Sequence, residues 1–259
     1  MPNVYKRLTN RLLYLPLWAT MAVFYTTNVS AQSHCPRALS LDLAAITAEA
    51  VCLAQRYIQI DTTNPPGNET AAVDFLAAFL AQEGIPITRL EAEPGRANLY
   101  ARLRGDGSKK AMMLVHHMDV VPADADAWTE PPFAGLVRDG YLWGRGSIDN
   151  KGPGIMEVLS FVLLKRLEIP LKRDVVLLAV ADEEQGGGKG ARFIAEKHFE
   201  MIADVEFALN EGGVMLELGE NKIRYGVEFA QKAPLWLEIS AQGVQMHGSR
   251  PSPAAATHT

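Results

Sequence analysis

A strand that ends in two histidines and an aspartate constrains this chain more than any other feature. Residues 114–121 read LVHHMDVV, an apolar run typical of a buried β-strand. Buried polar groups need partners, so we expect the polar side chains at this strand end to belong to a site. Strand alternation places His117 and Asp119 on one face and His116 on the other.

Helical and strand patterns alternate along the chain. Apolar residues recur at helical spacing over 40–60 and 69–82, and the segment DTTNPPG at 61–67 separates the two helices. Apolar strands follow, among them 111–117 and 174–181. This order predicts an α/β fold with a mixed, largely parallel sheet flanked by helices.

Four carboxylates lie close to the predicted carboxyl ends of the strands, where such a sheet binds its ligands. Asp149 lies in a glycine-rich loop before a helix predicted over 154–167. Glu183, Glu184 and Glu211 follow closely on apolar strands. Because ligands bind beyond the carboxyl ends of the strands in open α/β sheets, we expect these carboxylates to converge on the histidine of the central strand.

Each group also has a simpler interpretation when taken alone. His117 and Asp119 could be a satisfied polar pair, and Asp149 could cap a helix. The two adjacent glutamates could form a solvated acidic loop, and Glu211 could be a surface residue before a glycine turn. Together, however, one imidazole and several carboxylates favour zinc or a similar divalent cation.

Several sequence blocks occur in the order found in a known family. HMDVVP at 117–122, GRGSIDNKG at 144–152 and DEEQGG at 182–187 resemble signature blocks of the M20 family of dizinc metallopeptidases and aminoacylases. NEGG at 210–213 and WTEPPF at 128–133 are most similar to its carboxypeptidase S-like branch. The resemblance implies a zinc-peptidase-like catalytic domain, followed by an α+β lid and dimerisation domain.

The resemblance also implies a set of metal ligands. His117 and Glu211 would bind one zinc ion, Glu184 would bind the other, and Asp149 would bridge the two. Co²⁺ or Mn²⁺ would suit the same donors. A further histidine would pair with Glu184 in the family, and none of the six histidines fits that role: His34, His116, His117, His198, His247 and His258.

Three other residues receive roles from the resemblance. Asp119 would orient His117, and Glu183 would be the general base that deprotonates the attacking water. His247, within MHGSRP at 246–251, would contribute to substrate binding by reaching the active site of a partner subunit. The implied reaction is hydrolysis of the amide bond of a peptide or N-acyl amino acid next to a free carboxylate. The alternatives are deacylation of a small N-acetyl or N-succinyl metabolite, and a non-catalytic truncated relative.

The N-terminus is predicted to be a signal peptide over residues 1–31. An apolar stretch over 12–27 follows a short basic segment, and residues 29–31 resemble a small-residue cleavage site. We therefore expect an exported protein, periplasmic or secreted, without stable membrane association after cleavage. The alternative is an uncleaved membrane anchor, although the apolar run is shorter than the ~20 residues that span a bilayer.

The net charge and the cysteine content limit the kinds of binding partner, metal site and disulfide bond to expect. A net charge of −5 gives no reason to expect a nucleic acid as partner. The two cysteines, Cys35 and Cys52, are too few for a cysteine-based zinc site or a disulfide framework. They could pair with each other in an oxidising compartment, and the sequence leaves this open.

Beyond the signal peptide, the chain is predicted to hold one domain and the start of another. Residues 36–232 would form the first part of the catalytic domain, and residues 233–259 the beginning of the lid. Strands are predicted over 223–230 and 235–242. Because the family's lid and last ligand would lie further on, we expect these 259 residues to be an incomplete enzyme with weak or absent activity. The complete protein is expected to dimerise through its lid.

Overall fold

A five-stranded sheet positions the residues of interest. The computed structural model describes residues 35–213, 215–219, 222–230, 237–242 and 257–258. Within these residues the chain divides after Glu211 into two compact units. The predicted signal peptide, 1–31, and His247 lie outside the described residues. The predicted domain limits, 36–232 and 233–259, stay a prediction.

The sheet of the first unit combines antiparallel and parallel pairs. The strands of this unit are β1 (Ile87–Glu93), β2 (Arg96–Leu103), β3 (Ala111–His117), β4 (Leu136–Arg138), β5 (Tyr141–Trp143), β6 (Val175–Val180) and β7 (Val205–Leu209). Five of them form the sheet in the order β1-β2-β6-β3-β7, and β4 pairs with β5 as a separate hairpin. Strand β2 is antiparallel to both of its neighbours, whereas β3 is parallel to both β6 and β7.

Four helices flank this sheet. They are α1 (Leu43–Ile58), α2 (Glu69–Gln82), α3 (Lys151–Arg166) and α4 (Ala191–Lys197). Helix α1 begins after Asp42, whose carboxylate accepts hydrogen bonds from the backbone N–H groups of Ala44 and Ala45. Within the described part of the chain, no helix combines the length and the apolar character needed to span a bilayer.

Strand β6 shows how the two faces of the sheet are covered. All six of its residues are buried, which is typical of a strand enclosed on both faces. One set packs into the core formed with α1, α2 and α3: Val175, Leu177 and Ala179. The alternate set packs into the core formed with α4: Val176, Leu178 and Val180. The predicted fold class, a mixed sheet flanked by helices, is therefore confirmed.

Helix α3 packs closely against β3 because Gly154 has no side chain. A Cβ atom at this position would lie 2.4 Å from Cδ2 of His116. His116 is fully buried on this face, where its Nε2 lies 3.4 Å from the hydroxyl of Tyr57 and its Nδ1 lies 3.3 Å from a carboxylate oxygen of Glu157. This contact sets the first turn of α3, and Asp149 just before it, against the central strand.

The second unit is described only in short pieces. Strand β8 (Met215–Glu217) pairs with β9 (Ile223–Tyr225), and β10 (Ala241–Gln242) pairs with β11 (Thr257–His258). The strand predicted over 223–230 therefore ends at Tyr225, where a glycine, a weak strand former, follows. The strand predicted over 235–242 is described from residue 237 onward, and of these residues Ala241 and Gln242 pair in a strand.

Candidate metal centre

Three parallel strands end side by side and position the candidate residues. Strand β3 ends at His117, and β6 and β7 run in the same direction on either side of it. Glu183 and Glu184 lie in a short 3-10 turn just after β6, and Glu211 lies two residues after β7. Asp149 comes from the loop that precedes α3. The fold therefore brings the four carboxylates to the histidine at the carboxyl ends of the parallel strands.

The Nε2 atom of His117 lies at the centre of these groups. It is 2.8 Å from Oδ1 of Asp149, 3.4 Å from Oε2 of Glu211 and 4.0 Å from Oε2 of Glu183. The imidazole is buried, whereas the side chains of Asp149 and Glu183 are 63% and 50% exposed. The cluster is therefore open to solvent on its carboxylate side, where a substrate can approach.

Two sets of ligand atoms have the spacing of a metal site. Within each set the atoms lie within 4.8 Å of one another: His117 with Asp149 and Glu184, and His117 with Glu183 and Glu211. The Oε1 atom of Glu184 is buried and, among the described residues, has no hydrogen-bond partner. A buried acceptor without a partner is unfavourable, and a divalent cation would satisfy it. These nitrogen and oxygen donors fit zinc or a similar ion.

The adjacent glutamates belong to different sets. Glu184 groups with Asp149, and Glu183 groups with Glu211, although the resemblance gives Glu183 a role in proton transfer rather than in metal binding. Neighbouring residues in a 3-10 turn point in different directions, which lets the two carboxylates serve different purposes. The assignment of roles within the pair stays a prediction.

The cluster favours an added positive charge. Burial lowers the pKa of His117, but its hydrogen bonds with Asp119 and Glu211 outweigh burial and raise the pKa to about 11. Burial raises the pKa of Glu183, and burial followed by the charge of Asp149 raises the pKa of Glu184. A histidine that binds a metal is neutral, so an ion entering this site would displace protons that the cluster otherwise holds.

Asp119 holds the histidine and the glutamate turn with one carboxylate. Its Oδ1 lies 3.4 Å from Nδ1 of His117, and its carbonyl oxygen lies 3.0 Å from the same nitrogen. Its two carboxylate oxygens accept hydrogen bonds from the backbone N–H groups of Glu183, at 3.0 Å, and Glu184, at 3.1 Å. The contact with Nδ1 is of the kind that orients a metal-binding imidazole. The two backbone contacts also fix the turn.

Sequence reasoning missed the amide side chains that support these carboxylates. Nδ2 of Asn64 donates to Asp119 at 2.8 Å, and Nδ2 of Asn150 donates to Glu211 at 2.9 Å. Asn64 belongs to the segment that the sequence marks only as a break between two helices. No local pattern identifies either asparagine, because the residues they contact are 55 and 61 positions away.

Known proteins resemble this chain in sequence and in structure. Aminoacylase-1 from Sus scrofa is 31% identical over 204 residues, which cover 78% of this chain and 49% of that protein. Probable carboxypeptidase S-like 2 from Dictyostelium discoideum is 37% identical over 155 residues, covering 56% and 29%. The M20 family metallo-carboxypeptidase Sso-CP2 from Sulfolobus solfataricus superposes with a TM-score of 0.54 at 22% identity, covering 64% of this chain and 41% of that one. This superposition shows a shared fold.

The matches cover only part of each relative. The chain spans about half the length of the curated aminoacylases it matches. Within the chain, residues 113–257 match the sequence model of one family, and these residues begin in β3 and include every candidate ligand. Because that match covers more than half of the sequence, the chain belongs to peptidase family M20/M25/M40.

Proposed function

We propose that this chain carries the catalytic residues of an exported, zinc-dependent hydrolase. The enzyme cleaves the amide bond of a peptide or an N-acyl amino acid next to a free carboxylate. The observation that carries the proposal is the convergence of four carboxylates on His117 at the carboxyl ends of the parallel strands. The names of two relatives, Aminoacylase-1 and a probable carboxypeptidase S-like protein, support the same class of substrate.

Four residues of this chain would contribute ligands to two zinc ions. His117 and Glu211 would hold one ion, Glu184 would hold the other, and Asp149 would be shared by both. The buried, unpartnered Oε1 atom of Glu184 supports its assignment as a ligand. Bound zinc lowers the pKa of a water molecule to about 7 and polarises the carbonyl group of the amide.

Glu183 would move the proton. Its side chain is half exposed at the open side of the cluster, and its carboxylate lies near the candidate ligands without a direct hydrogen bond to His117. Burial raises its pKa, which brings a carboxylate closer to the range needed for proton transfer near neutral pH. In the proposed reaction Glu183 accepts a proton from the attacking water and passes it to the leaving amine. Asp119 keeps His117 oriented during this step.

Two further proposals concern where the protein works and with which partner. Cys35 and Cys52 form a disulfide bond that ties the start of the described chain to helix α1. Disulfide bonds persist in oxidising compartments, which supports an exported protein. We also propose that the complete protein dimerises through a lid domain, with His247 contributing to substrate binding in the partner subunit.

A substrate panel tests the proposed function. The complete gene product that carries this sequence is incubated with N-acyl amino acids and dipeptides, and released amine is measured with zinc removed and restored. Matched substrates with an esterified or amidated C-terminus serve as controls, because they lack the free carboxylate. We expect zinc-dependent hydrolysis of the free acids and little hydrolysis of the blocked forms. Hydrolysis confined to N-succinyl or N-acetyl metabolites would favour the deacylase alternative, and no hydrolysis of any substrate would contradict the proposal.

A further inference from the structure

A buried asparagine connects two aspartates that flank the glutamate pair. Asn64 is 1% exposed, and its Nδ2 donates to Oδ2 of Asp119 at 2.8 Å and to Oδ1 of Asp182 at 3.1 Å. Asp119 accepts the backbone N–H groups of Glu183 and Glu184, and Asp182 directly precedes them in the chain. The amide group of Asn64 therefore links Asp119, which binds the N–H groups of the turn, to Asp182, from which the turn begins.

An arginine fixes the second of these aspartates. Arg96 forms two hydrogen bonds with Glu69, at 2.6 and 2.7 Å, and a third with Oδ1 of Asp182 at 3.0 Å. The other carboxylate oxygen of Asp182 accepts from the backbone N–H of Lys189 at 3.1 Å. Asp182 has a φ of +67°, a left-handed conformation that is unfavourable for residues other than glycine. These contacts hold the chain in that conformation just where the turn begins.

The ion pairs of Arg96 reach two of the three carboxylates in this buried group. Glu69 and Asp182 share the guanidinium group of Arg96, whereas Asp119 forms no ion pair with it, and all four side chains are buried. Buried negative charge needs compensation by hydrogen bonds or by nearby cations. Asp119 is compensated by the amide of Asn64, the imidazole of His117, the N–H groups of the turn and the charge of the buried Lys151. The carboxylate of Asp119 therefore connects this buried group to the imidazole of His117, a candidate ligand.

We propose that Asn64 and Arg96 are positioning residues that set the zinc affinity of the site by fixing the turn Glu183–Gln185 through Asp119 and Asp182. Neither residue contacts a candidate ligand side chain with its own polar atoms. The inference rests on the proposed function in so far as the site holds zinc. Loss of comparable supporting contacts typically weakens metal binding 10–100-fold.

The test compares zinc affinities of variants matched for lost buried contacts. Asn64→Leu removes the bridging amide at nearly constant size, and Thr62→Val is its control. Thr62 lies in the same segment, is fully buried and donates one hydrogen bond to the carbonyl of Met118 at 2.7 Å, without a contact to the carboxylate of either aspartate. Arg96→Met removes the guanidinium, and Arg96→Lys restores the charge without the paired contacts.

Zinc affinity is measured on the complete gene product by competition with a chromogenic chelator, beside thermal unfolding. We expect Asn64→Leu and Arg96→Met to bind zinc 10–100-fold more weakly, Arg96→Lys to recover part of the loss, and Thr62→Val to bind as the unmodified protein does. If Asn64→Leu does not fold, Asn64→Ser gives the same comparison, because serine is too short to bridge both aspartates.

Two results would overturn the inference. One is an unchanged zinc affinity in the folded Asn64 and Arg96 variants. The other is an equal loss in Thr62→Val, which would show that any destabilisation of this segment weakens the site. A protein that binds zinc but hydrolyses no amide substrate would refute the proposed function, and the comparison of affinities would still decide the positioning role. A protein that binds no zinc at all would contradict both.

Discussion

Replacing Gly154 with alanine should change the free energy of unfolding in two opposite ways, through helix propensity and through packing. Alanine is favoured over glycine inside a helix by roughly 0.5–1 kcal/mol, so propensity alone predicts a more stable protein. In the structure the added Cβ would lie 2.4 Å from Cδ2 and 2.9 Å from Nε2 of the buried His116 ring. Carbon atoms in favourable contact are about 3.5–4.0 Å apart, so helix α3 or the ring would have to move by roughly 1 Å.

Such overpacking of a buried contact costs about 1–3 kcal/mol. After the gain in helix propensity is subtracted, we expect Gly154→Ala to lower the free energy of unfolding by up to about 2.5 kcal/mol. The measurement is a urea unfolding curve for each variant. Ser160→Ala is the matched control, since position 160 is exposed on the same helix and should be neutral or slightly stabilising. An increase in stability for Gly154→Ala would refute the close packing of α3 on β3.

Three other predictions concern the metal, the disulfide and acid stability. Asp149→Ala should reduce zinc binding at both positions, and metal analysis that finds one position fully retained would count against a bridging role. Replacing Cys35 and Cys52 with serine should lower the free energy of unfolding by about 3 kcal/mol, because the bond closes a loop of 17 residues, and equal unfolding curves would contradict this. Burial raises the pKa of Glu83, but ion pairs with Arg166 and a second arginine outweigh burial and lower it. Its contribution to stability should therefore be complete above the usual carboxyl pKa and be lost as the pH falls through the lowered value, so Glu83→Gln should flatten the acid limb of a pH–stability profile.

Local signals in the sequence were sufficient to predict the limits of several helices and strands. Helix α2 and strand β3 have the predicted limits, because a proline-rich break precedes the helix and a polar loop precedes the strand. Helix α3 begins at Lys151, three residues earlier than predicted. These residues were predicted to belong to the glycine-rich loop, but proline is tolerated in the first turn of a helix, so Pro153 does not prevent the earlier start.

The candidate ligands could be predicted because each of them lies at or just after the end of a strand or just before a helix, which is a local feature. The supporting residues could not be predicted in this way. Asn64, Arg96 and Glu69 are distant in sequence from Asp119 and Asp182, and only the folded sheet brings them into contact. The same limit applies to the cysteines, since their pairing depends on a Cα–Cα distance, 5.6 Å in the structure, that only the folded chain defines.

The comparison of zinc content with turnover in Glu183→Gln tests the central claim most directly. The side chain keeps its size but can no longer accept a proton, and the residue is not one of the four proposed ligands. We predict that the variant of the complete gene product retains nearly all of its zinc and loses amide hydrolysis by ~10²–10⁴-fold, the usual contribution of a general base. Loss of zinc in this variant would exchange the roles of Glu183 and Glu184. Unchanged hydrolysis with full zinc would contradict the mechanism.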